Sequence, residues 1–167
     1  MKLIIDGYNL IRQSPTLSET ELESLEAGRA ALIKYLQAYR RLKKYNITVV
    51  FDGEHGEHLS LQKEKIGGIS VIYSGKGQKA DDVIKEIIEK QSNLIVVSSD
   101  KEIISFAERY NANAILSTEF ISRLEMALYT KRPIKETPSP KIVPQKKGPS
   151  YRLSKRERRR LRALRKL

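Results

Sequence analysis

Short apolar runs bounded by polar residues recur along the chain, at Leu3 to Ile5, Ile47 to Phe51, Ile69 to Tyr73, Leu94 to Val97 and Ala114 to Leu116. Runs of this length, rich in isoleucine and valine, predict strands, and their lack of strict alternation predicts a sheet covered on both faces. Between them, Leu22, Leu25, Leu32, Leu36 and Tyr39 recur at helical spacing, and Val83, Ile84, Ile87 and Ile88 form a second apolar stripe. Strands alternating with helices predict right-handed crossovers and an α/β fold with a doubly wound, mainly parallel sheet.

That topology gives meaning to the acids. Asp6, Asp52 and Asp100 each follow an apolar run, and Asp81 and Asp82 open a helix. In a doubly wound sheet ligands bind beyond the carboxyl ends of the strands, so the four segments point to one rim. Singly, each has an ordinary explanation: Asp52 before Gly53 suits a turn, and Asp100 suits a helix cap. Together, clustered carboxylates repel one another unless a cation neutralises them. Ligands that are all oxygen suit Mg²⁺ or Mn²⁺, and such a site can activate water against a phosphodiester.

Composition narrows the setting. With 167 residues the chain supports one core, and with no cysteine it has neither disulfides nor thiolate ligands. The two histidines, His55 and His58, lie in a polar segment after the second strand, where a rim loop explains them as well as substrate contact does. No secretory leader and no apolar run of about 18 residues is apparent, so a cytoplasmic protein with no membrane span is expected. SGKGQK, over residues 74–79, lacks the GxxxxGK(S/T) pattern, which removes support for an NTPase; Lys76 and Lys79 either touch a nucleic-acid backbone or are simply solvated.

Charge is concentrated at one end. From Lys141 onward 12 Lys or Arg stand against one acid, a net of +11 out of +12 for the whole chain. Residues 131–150 carry Pro133, Pro138, Pro140, Pro144 and Pro149 and no apolar period, which predicts a linker after a core spanning 1–130. In residues 151–167, Ser154 can cap a short helix carrying Arg152, Lys155, Arg156, Arg158, Arg159, Arg160, Arg162 and Arg165 on or beside it. Such a tail is expected to become helical on a polyanion, with nucleic acid favoured over an anionic membrane surface or a purely solubilising role.

The opening LIIDGYNLI, followed in order by VVFDG, KGQKADDVI and VVSSD, resembles the YacP-like branch of the NYN domain family over roughly residues 1–130. That resemblance implies a PIN-like, Rossmann-like three-layer sandwich and a metal-dependent endoribonuclease using Mg²⁺ or Mn²⁺. It implies Asp6, Asp81 and Asp100 as metal ligands, with Asp52 and Asp82 as further acids of the catalytic set. Asn9 would orient Asp6 or contact phosphate, and Ser98 or Ser99 would be available to a phosphate. Glu26 or Arg29 would serve from the first long helix. Tyr8 would either stack on a base or belong to the core. The expected reaction is in-line attack of activated water, leaving a 5′-phosphate and a 3′-hydroxyl, on RNA that the tail brings near, as at the ribosome. A non-catalytic RNA- or ribosome-binding adaptor is the alternative, although clustered acids give a phosphate binder nothing. A phosphatase ranks last because DGYN lacks the second aspartate of a DxD nucleophile motif.

Overall fold

The computed structural model describes residues 1–53, 60–129 and 154–166. Its centre is a six-stranded sheet in the order β3-β4-β2-β1-β5-β6. The strands are β1 (Lys2–Asp6), β2 (Asn46–Phe51), β3 (Gln62–Ile66), β4 (Ile69–Tyr73), β5 (Leu94–Val97) and β6 (Asn113–Ile115). All pairings are parallel except β3 with β4. The five predicted strands are therefore present to within a residue or two at their ends.

Helices cover both faces, giving three layers. On one face α1 (Gly7–Arg12), α2 (Pro15–Glu23), α3 (Leu25–Lys43) and α6 (Ser117–Tyr129) bury Leu10, Leu17, Leu32, Leu36 and Phe120 against Leu3, Ile5 and Val49. On the other, α4 (Ala80–Lys90) and α5 (Lys101–Arg109) bury Val83, Ile84, Ile88 and Ile103 against Ile4, Val50 and Val96. Alternate residues of β1 thus enter different cores, as the twofold period of a strand requires. Among the described residues no helix is long and apolar enough to cross a membrane.

Two local departures have physical causes. The expected single stripe from Leu22 to Tyr39 is two helices, because Ser24 ends α2 and caps α3 by accepting the Ala27 amide at 2.9 Å. Leu22 consequently points to solvent. Strand β3, QKEKI, has no apolar run because it is an exposed edge, where charge discourages pairing with another chain. It joins β4 through Gly67 and Gly68, both at positive φ (57° and 87°), which a two-residue hairpin of primed type needs.

The basic C-terminal segment forms α7 (Lys155–Lys166), capped by Ser154 and Glu157 in a reciprocal capping box. The helix packs on the core beside β6, burying Ala163 and Leu164. Arg156 pairs with Glu108 at 2.6 Å, Arg160 with both carboxylate oxygens of Glu119, and Arg159 donates to Asn111. Arg152, the proline-rich stretch 131–150 and both histidines lie outside the described residues.

Candidate active site

Asp6 is the last residue of β1, the central position of the parallel set, and it lies opposite Val50 of β2. The chain turns at once into α1, with Asp6 as N-cap accepting the Asn9 amide at 3.2 Å. Gly7 is required here, since a Cβ would sit 2.3 Å from the Phe51 ring. The second Asp6 oxygen accepts the Ser98 hydroxyl at 3.1 Å, and Ser98 Oγ in turn accepts the Asp100 amide at 3.1 Å. One buried serine therefore couples the ends of β1 and β5.

The other acids arrive from both sides of Asp6. Asp100 caps α5, its Oδ1 accepting the amides of Glu102 at 2.6 Å and Ile103 at 3.2 Å. Asp52, just past β2, accepts the Ala80 amide at 2.6 Å and so fixes the start of α4, which presents Asp81. Burial pushes the Asp6 carboxyl up to about 6, and repulsion from Asp81 and Asp52 adds to it. Asp81 is also pushed up, by burial first and then by Asp100 and Asp52. Asp81 thus lies within reach of the charges on Asp6, Asp52 and Asp100, and Asp6 within reach of those on Asp81 and Asp52. Asp82 stands apart from them, exposed and capping α4 by accepting the Lys79 amide at 3.1 Å.

Asn9 braces this rim. Its Oδ1 accepts the Ser99 amide at 2.9 Å and the Ser117 hydroxyl at 2.8 Å, tying α1 to the β5–α5 turn and to α6. Ser99 is engaged as well, accepting the Ser117 amide. Tyr8 is buried, which decides for its core reading, and its hydroxyl accepts a 2.6 Å bond from Arg29 Nε. Glu26 is exposed in the first turn of α3, whereas Arg29 is half-buried against the Tyr8 ring. Lys76 and Lys79 are exposed. Ser117 and the coupling role of Ser98 are not apparent from the sequence, since a serine two residues from an aspartate carries no signal of what it will touch.

The donor set is all oxygen and electrostatically strained, which fits a hard divalent cation. Among the described residues no three acids or histidines are already placed to hold one ion. A small cation completes a partial carboxylate shell with water, so two of these acids suffice to begin a site.

Acids at the carboxyl rim of a three-layer α/β sandwich are what a PIN-like, nuclease-type domain would present. The YacP-like NYN domain family model matches residues 3–166, and the chain belongs to that family. NYN domains are generally nucleases, and their class typically uses divalent metals. The chain is 28% identical over 92 residues to the uncharacterized protein YacP of Bacillus subtilis (strain 168), spanning 55% of this chain and about half (54%) of that relative's length. It shares its fold with two crystal structures of Rae1 (YacP) from Bacillus subtilis. One, a point mutant, matches at TM-score 0.67 with 22% identity over 77% of each chain. The other matches at TM-score 0.65 with 24% identity over 78% of this chain and 76% of that one.

Proposed function

We propose that this chain is a metal-dependent endoribonuclease. The observation that supports the reading best is the convergence of Asp6, Asp52, Asp81 and Asp100, from four separate segments, at the carboxyl rim of the sheet. Asp6, Asp81 and Asp100 would hold Mg²⁺ or Mn²⁺. Such an ion, when bound, lowers the pKa of water and neutralises charge on the leaving oxygen. Ser98 keeps Asp6 and the Asp100 backbone in register, Asp52 sets the position of Asp81, and Asn9 holds the Ser99 turn against α1. The products would be a 5′-phosphate and a 3′-hydroxyl. The basic helix α7 would dock the enzyme on a large RNA assembly such as the ribosome, in the cytoplasm, bringing the rim to mRNA or rRNA.

The test is cleavage of labelled single-stranded RNA in Mg²⁺ or Mn²⁺, with and without ribosomes. The expected result is cutting that excess EDTA stops and that the double variant Asp6→Asn/Asp81→Asn lacks. RNA binding without cutting under every one of these conditions overturns the nuclease in favour of an adaptor.

A further inference from the structure

Arg29 is held with unusual care for a residue outside the acid cluster. Its guanidinium carbon lies 5.4 Å from the Tyr8 ring centroid, 5.8 Å from Phe51 and 5.3 Å from Tyr73, while Nε donates to the Tyr8 hydroxyl. Aromatic faces attract a cation without neutralising it. Among the described residues no carboxylate forms an ion pair with it. Each ring is also anchored to the rim: Tyr8 follows Asp6 by two residues, Phe51 immediately precedes Asp52, and Tyr73 pairs with Phe51 across the sheet.

Arg29 lines a groove of about 660 Å³ between α3 and the β3–β4 hairpin, with Gly53, the neighbour of Asp52, on its wall. The groove is not basic as a whole, since Arg29 and Lys34 share it with Glu26 and Glu64. Burial first, and then the neighbouring Glu64 carboxylate, push the Tyr73 hydroxyl up to about 12. Of the Arg29 guanidinium only the Nε donates a hydrogen bond among the described residues, and the fork of a guanidinium has the geometry suited to a phosphate. Metal-site acids repel the polyanion they cut, and a preorganised cation beside them offsets that repulsion.

We propose that this groove receives the single-stranded RNA segment next to the scissile bond and that Arg29 binds one of its phosphates. The inference rests on the ribonuclease reading above. It is tested on the full chain with a short single-stranded RNA, comparing Arg29→Met, Arg29→Lys and Tyr8→Phe. Arg29→Met should lower kcat/KM roughly 10- to 100-fold, the loss expected for one charge-assisted contact. It should also flatten the dependence of log kcat/KM on log salt by about 0.7, the share of one phosphate on a single strand. Arg29→Lys should recover only part, and Tyr8→Phe, which keeps the charge but loses the tether, should fall between. A full recovery by lysine, or an unchanged salt slope in a folded Arg29→Met chain, overturns the assignment.

Photocrosslinking keeps this inference separable from the nuclease reading. In Asp6→Asn/Asp81→Asn, a 4-thiouridine oligonucleotide should crosslink to peptides covering Leu25–Gln37 or Glu64–Tyr73, and Arg29→Met should remove those crosslinks. Crosslinks confined to the C-terminal helix overturn the groove whether or not the native chain cuts RNA. Groove crosslinks in a chain that never cuts leave the groove standing and remove the nuclease.

Discussion

Asp6 carries a conflict between stability and chemistry that can be measured. Its folded carboxyl titrates at about 6 against an ordinary 3.8, chiefly through burial. The native state therefore binds this proton more tightly than the unfolded chain does. The stabilising proton is fully present below about pH 4 and lost as pH rises through 6, a cost of roughly 2 to 3 kcal/mol for a shift of that size. Asp6→Asn escapes it, so in EDTA its Tm should equal that of the native chain near pH 4 and exceed it above pH 7. Added Mg²⁺ should narrow the gap by stabilising only the native carboxylate. A Tm difference that does not change with pH would show that burial of Asp6 does not govern the titration. Ser98 is the second residue worth changing: Ser98→Ala removes the hydroxyl joining Asp6 to the Asp100 amide. Losing such an orienting partner typically lowers metal affinity or activity by about 10- to 100-fold, measurable as a raised Mg²⁺ requirement. The acids were legible in the sequence because each stands at a strand end or a helix start, positions that local patterning fixes. Ser98, Ser117 and the ring-lined seat of Arg29 were not, because contacts between segments 21 to 108 residues apart leave no local trace.

At the scale of elements, the parallel strands were readable as buried apolar runs, and β3 was not, because an edge strand needs no apolar run. Its one signal was Gly67-Gly68, a hairpin pair between Ile66 and Ile69. Helix α7 was readable from Ser154 and its charge, yet its docking was hidden, since Ala163 and Leu164 look sparse among so many arginines. Magnitudes indicate what holds it. Ion pairs as exposed as Arg156–Glu108 and Arg160–Glu119 contribute about 0 to 1 kcal/mol each, less in salt. Burying one leucine side chain contributes about 1.5 to 3 kcal/mol. Amide hydrogen exchange of α7 should therefore stay protected between low and molar salt, while Leu164→Asp should expose both α7 and the short edge strand β6 on which it sits. Loss of protection in salt alone would reverse that ranking and make the helix an electrostatic latch.

Across the whole molecule the sheet, the acids and the basic helix divide the work between a near-neutral body and one cationic element. Docking splits the cations of α7 into two sets. Arg156, Arg159 and Arg160 are bonded to Glu108, Asn111 and Glu119 while still open to solvent, whereas Lys155, Arg158, Arg162 and Arg165 are exposed with no ion pair among the described residues. If α7 binds a large RNA, the second set makes the contacts and the first keeps the helix seated. Removing residues 141–167 cannot test this cleanly, because it also strips Ala163 and Leu164 from the core. The informative variant is Arg158→Gln/Arg162→Gln/Arg165→Gln, which should leave Tm unchanged. Three lost phosphate contacts should reduce the salt slope of ribosome binding by about 2 to 3. The complementary variant Arg156→Gln/Arg159→Gln/Arg160→Gln should change the slope less and loosen α7 in hydrogen exchange. Equal effects of the two triples on ribosome sedimentation would mean that the first set also meets RNA, giving up its partners on the core to do so.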